Sequence, residues 1–179
     1  MSISATFKSP GRLAGLVLLL AGVLVGATTA QEPTPGVRVG GEVATPLKLS
    51  AADLAGLPRT TVKATDHGGA TAEFEGVRLW DVLGRAGIAS GPEKRGKAAA
   101  SYVVVEAADG YRVVFALLEL DPEFSDKVVI LADRRDGRPM AEPQGPFRIV
   151  APGEKRQARW ARMVESITVR SAPAGEEAR

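Results

Sequence analysis

Hydrophobic and polar positions change period several times along this chain, and each change predicts an element. Leu13 to Ala27 is an unbroken run of aliphatic and small residues behind Lys8 and Arg12. A basic start, an apolar centre and the small-residue exit Ala27-Thr28-Thr29-Ala30 predict a secretory leader over residues 1–30, cleaved after Ala30 or Ala27. The run is short for a spanning helix, and its retention as an uncleaved N-terminal anchor is the alternative. Residues 31–42 read as a lead-in, Pro-rich from Gln31 to Gly36, before a domain over 43–170 and a polar tail over 171–179.

Within the lead-in, Val37 to Val43 already alternates around Gly40-Gly41, and Leu47-Lys48-Leu49 resumes the alternation after Pro46, which predicts an opening hairpin. Ser50-Ala51-Ala52-Asp53 has the form of a capping box and predicts a short helix through Leu57, stopped at Pro58. Thr60 to Thr65 is β-branched, Asp66-His67-Gly68-Gly69 has turn composition, and Thr71 to Phe74 returns, so a second hairpin follows. After Gly76, Leu79, Val82, Leu83 and Ala86 fall at i, i+3, i+4 and i+7, one helical stripe over Arg78 to Ala86 ended by Gly87. Ile88 to Ala99 is rich in Gly, Pro and basic residues and reads as a loop.

Ser101 to Ala107 and Tyr111 to Leu117 are apolar, β-branched runs joined through Asp109-Gly110, a strong hairpin signal. Val128 to Ala132 predicts a buried strand, Arg134 to Pro139 a turn, and Phe147 to Val150 and Met163 to Val169 the closing strands with a basic loop between them. No internal repeat or mid-chain linker interrupts this order. Short hairpins with few helices define the fold class as α+β, in one domain.

Charge and composition narrow the chemistry. The chain has 23 basic and 21 acidic residues, and Lys8 and Arg12 in the leader account for the whole excess, so the remainder is neutral. Bulk charge therefore supports neither nucleic acid nor a membrane surface as partner, and a membrane enters only through an uncleaved leader. There is no cysteine, which excludes thiol nucleophiles, thiolate metal ligands and iron–sulfur clusters. The single histidine, His67, argues against a multi-histidine metal site. No Ser/His/Asp order and no phosphate-cradling glycine motif is present.

Four blocks, in order, resemble one family. They are Leu49 to Leu54 with Leu57-Pro58; Phe74-Glu75-Gly76-Val77-Arg78-Leu79-Trp80-Asp81-Val82-Leu83 with Ala86-Gly87; Ala108-Asp109-Gly110-Tyr111 with Phe115 to Leu120; and Gln144-Gly145-Pro146-Phe147-Arg148 through Arg159-Trp160 to Val169. Together they resemble the oxidoreductase molybdopterin-binding domain of the sulfite oxidase fold, from about Val43 to Val169. The resemblance implies a molybdenum atom held by a pterin dithiolene and one protein cysteine, in oxygen-atom transfer or sulfoxide reduction. It places that cysteine at about Ala64, Thr65 or Asp66, none of which supplies a thiolate, so molybdenum ligation and ordinary family catalysis are not expected.

The resemblance further implies that the loop after Gly-Pro-aromatic-Arg contacts the phosphate and pterin of the cofactor. In this chain that stretch carries Arg148, Lys155, Arg156, Arg159 and Arg162 against Glu154, the densest basic segment present. Arginine forks suit phosphate and carboxylate groups, which makes Arg148, Lys155, Arg156, Arg159 and Trp160 the candidate cofactor-binding residues; the bland alternative is a solvated loop with Trp160 in the core. Asp66 and His67 could serve as a base or as one arm of a weak metal site, or could simply form a turn. Three readings stand: a binding module for a small anion or a pterin-like ligand, ranked first; a molybdopterin-dependent oxidoreductase with atypical metal ligation; and an accessory domain for a periplasmic redox partner. All three share an exported, periplasmic or secreted location.

Overall fold

A computed structural model of the chain describes residues 35–88 and 95–173. The leader, most of the Pro-rich lead-in, the middle of the basic loop after Ile88 and the end of the tail lie outside the described residues.

Alternation in the sequence becomes one-sided burial in two sheets, the first mixed and the second antiparallel. In the first, β1 (Gly36–Gly41) pairs antiparallel with β2 (Leu47–Ser50), as the opening hairpin predicted. β1 also pairs parallel with β10 (Val164–Ser171), which continues through β5 (Ser101–Ala107) to β6 (Arg112–Ala116), giving the order β2-β1-β10-β5-β6. Every second residue of β5, from Ser101 to Ala107, is buried, the half-buried pattern of a sheet packed on one face. The second sheet contains β3 (Arg59–Thr65), β4 (Thr71–Arg78), β7 (Ile130–Arg135) and the two-residue β8 (Arg138–Pro139); β9 (Arg148–Val150) also pairs with β7.

Between the strands, α1 (Ala51–Ala55) is closed by the expected capping box: Asp53 N–H donates to the Ser50 hydroxyl, and Ser50 N–H donates to the Asp53 carboxylate at 2.8 Å. The helix α2 (Leu79–Arg85) sinks Leu79, Val82 and Leu83 completely into the core, as its stripe requires. Phe74, Phe115, Phe147, Ile149 and Ile167 join them in one hydrophobic cluster. Gly76 lets β4 approach β7, because a Cβ there would stand 2.2 Å from the Leu131 carbonyl oxygen. No helix among the described residues is long and apolar enough to cross a membrane.

Four boundaries differ from the sequence expectation. The expected loop Ile88–Ala99 ends in a helical turn, α3 (Arg95–Ala99), whose Lys-Ala-Ala sequence has high helix propensity. The expected strand Tyr111–Leu117 stops at Ala116; α4 (Leu117–Leu120) begins there, with the Ala116 N–H donating to the Glu119 carboxylate at 2.9 Å. Arg134 and Arg135, expected in a turn, belong to β7, and the reversal is confined to Asp136 and Gly137, both at positive φ. Two such residues match the right-handed twist of the flanking strands, which a longer turn would not need to do. The closing strand runs to Ser171, whose N–H donates to the Glu42 carboxylate at 2.8 Å.

Candidate functional site

The largest fully buried side chain of the described residues is a charged one. Arg148, at the start of β9, is 2% exposed. Its position is set by backbone pairing on both sides: Ala132 lies opposite it on β7, and an isolated bridge joins it to Arg162. Phe147 and Ile149 are bonded to the same segment, Ile149 N–H donating to the Ala161 carbonyl at 2.8 Å and Val164 N–H to the Phe147 carbonyl at 3.0 Å. Strand alternation puts the Arg148 side chain on the face opposite Phe147 and Ile149, and that face is covered by Phe74 and Trp160.

Inside, aromatic faces surround it. The guanidinium carbon lies 5.6 Å from the Phe74 ring centre and 5.3 Å from that of Trp160, and the two rings meet edge to face at 5.9 Å. One nitrogen, Nη1, donates to the Gln144 side-chain oxygen at 2.7 Å. Nε is buried without a hydrogen-bond partner. No carboxylate among the described residues comes within ion-pair distance. Burial pushes the Arg148 pKa down; Asp66 opposes that shift from a distance, and Arg162 and Arg135 add to it. A guanidinium in such a place is normally paired, because an orphaned buried donor destabilises by about 1–3 kcal/mol and more when charged.

Arg135, over the same ring, stands 5.6 Å from the Phe74 centre and forms an ion pair with Asp66 at 2.8 Å. Asp66 also accepts the Gly68 N–H at 2.8 Å. That bond, then the neighbouring Arg135, holds the Asp66 carboxyl below the usual aspartate range against the effect of burial. Gln157 ties the basic loop to this end of β3 by donating to the Thr65 carbonyl at 2.8 Å. Arg148, Arg135, Arg162, Asp66, Phe74, Trp160 and Gln144 thus form one cluster with three guanidiniums and one inner carboxylate.

The five residues singled out in the sequence do not form one surface. Arg148 and Trp160 are together in the cluster; the Trp160 ring N–H donates to the Ala151 carbonyl at 3.1 Å. Lys155 and Arg156 are exposed. Arg159 is turned elsewhere: it lies 4.3 Å over the Phe115 ring, donates to Glu154 at 2.6 Å and Glu119 at 2.8 Å, and borders a cavity of about 640 Å³ with Val62, Val128 and Pro152. Its charge is answered by those two carboxylates. His67 is exposed in the Asp66–Gly69 turn, which closes through Gly69 N–H to the Asp66 carbonyl at 2.9 Å. Sequence reasoning missed Arg135 and Gln144 as parts of the site. The Asp136-Gly137 pair was the available signal for Arg135, since a two-residue turn there extends β7 through that residue.

A mixed α+β domain with the arginine of its Gly-Pro-aromatic-Arg segment buried against aromatic rings defines the class. A family model described as the oxidoreductase molybdopterin binding domain matches residues 27–177, and the chain belongs to that family. Among solved structures, the sulfane dehydrogenase SoxCD from Paracoccus pantotrophus is similar in fold, with a TM-score of 0.59 and 22% sequence identity over 75% of this chain. The match covers 38% of that protein's chain. No curated protein matches.

The residues present fit one end of a molybdopterin and not the other. The orphaned Nε of Arg148 suits an anionic group. At the positions where the resemblance places the metal thiolate, Ala64 is a buried apolar residue, the Thr65 hydroxyl is bonded to that of Thr71 at 3.1 Å, and Asp66 is paired with Arg135. No group of three or more His, Cys, Asp or Glu side chains among the described residues is placed to hold a metal.

Proposed function

We propose that this chain is a non-catalytic binding module of the molybdopterin-binding family, taking a small oxyanion or the phosphate of a pterin-like ligand at Arg148. The observation that carries this reading is the buried guanidinium with a free Nε–H and, among the described residues, no carboxylate against it. A folded domain bears that arrangement at a loss of stability unless a ligand completes it, and charge-assisted hydrogen bonds to phosphate or sulfate are among the strongest available. The loss of the thiolate speaks against the family's metal chemistry, and a shared fold does not carry chemistry without its site residues. The leader pattern of residues 1–30 supports export, with binding in a periplasmic or extracellular space.

Thermal-shift and calorimetric titrations with sulfate, phosphate and phosphorylated pterins, in a buffer free of oxyanions, test the reading. Wild-type protein should gain stability with ligand concentration. Arg148→Met should abolish the gain and Arg162→Ala should weaken it. A full response in Arg148→Met would remove the site from Arg148. Protein purified from its native exported compartment should contain no stoichiometric molybdenum; about one metal per chain together with pterin would restore the enzyme reading.

A further inference from the structure

The cluster already holds one anion of its own. Asp66 directly follows β3, with its side chain 15% exposed, one oxygen on the Gly68 N–H and the other 2.8 Å from the Arg135 guanidinium. Arg135 and Arg148 lie over the same Phe74 ring, each 5.6 Å from its centre, and Arg162 is bridged to Arg148 through the backbone. The other carboxylate near Arg135 is Asp136, at 3.5 Å and 60% exposed, where water screens it. Among the described residues, Asp66 is therefore the one inner negative charge beside three guanidiniums. It also occupies one of the positions in which the resemblance places the metal thiolate, so a negative group persists there but faces an arginine.

We propose that Asp66 is the resident counter-ion of the Arg148 cluster, that a ligand must displace it from Arg135 to bind, and that the cluster thereby selects dianionic oxyanions over monocarboxylates. A monocarboxylate entering this cluster exchanges one carboxylate for another and adds the loss of its own freedom, so no net attraction remains. Sulfate or a phosphate dianion brings a second charge and further acceptor oxygens, enough to engage Arg135 and the free Arg148 Nε together. The inference rests on the anion reading of Arg148.

Titrating wild type, Asp66→Asn and Arg148→Met with sulfate and with acetate at neutral pH separates the two ideas. Asparagine keeps the acceptor for Gly68 and removes the charge. Wild type should bind sulfate and not acetate, Asp66→Asn should bind sulfate about tenfold more tightly and acquire acetate binding, and Arg148→Met should bind neither. Unchanged or weaker sulfate binding in Asp66→Asn, with binding still lost in Arg148→Met, overturns the counter-ion role and leaves the anion site standing. Absence of sulfate binding in both wild type and Asp66→Asn overturns the two together.

Discussion

Replacing Arg148 with methionine, an uncharged, flexible and shorter residue, separates a structural arginine from one held for a ligand. The substitution removes two ring contacts, each worth roughly 0.5–2 kcal/mol, and the 2.7 Å charged hydrogen bond to Gln144, worth about 1.5–3 kcal/mol. It also removes the desolvation penalty of a guanidinium at 2% exposure, several kcal/mol, and the orphaned Nε–H, about 1–3 kcal/mol. Gln144 is only half-buried, so its freed oxygen can reach water. The two sides nearly cancel, and the variant should unfold within about 1 kcal/mol of wild type, on the stable side, when denatured without oxyanions. With sulfate at a hundred times its dissociation constant, wild type gains about 2.7 kcal/mol and the variant gains nothing, which inverts their order. Chemical denaturation with and without sulfate measures both. A loss beyond about 3 kcal/mol in Arg148→Met without ligand would show that the arginine is a structural strut, and the argument from its missing partner would fail.

Three further outcomes are expected. Leu83→Ala deletes a completely buried side chain of α2 and should cost about 2–5 kcal/mol by denaturant unfolding. Gly76→Ala puts a methyl 2.2 Å from the Leu131 carbonyl oxygen and 2.6 Å from the Ala132 Cα, both backbone atoms that cannot rotate away, and should lower stability by about 1–3 kcal/mol with loss of β4–β7 amide protection in hydrogen exchange. Burial raises the Glu119 pKa, but hydrogen bonds from Arg159 and Lys127 outweigh it and leave the carboxyl below the usual glutamate range. Its contribution is thus present above the ordinary glutamate value and lost as pH falls through the lowered one; the gap between wild type and Glu119→Gln should close along that acid limb.

The elements legible in the sequence are those with a local cause. The Ser50–Asp53 capping box, the α2 stripe and the Asp109-Gly110 hairpin each need only neighbours within a few residues, and all three formed as read. The family was legible too, because its four blocks keep their order and spacing. Tertiary structure decided how far the strands run, since Arg135 joins β7 through pairing with Phe74 on the neighbouring strand of the same sheet, distant in sequence. It also divided the basic segment. Arg148 and Arg159 stand close in sequence and are both arginines, but β9 turns one inward between Phe74 and Trp160, while the short 3-10 turn Gln157–Arg159 delivers the other to Glu119 and Glu154. A charge run records how many cations a segment has; which of them lacks a partner depends on where the fold brings carboxylates such as Glu119 of α4, and only packing decides that.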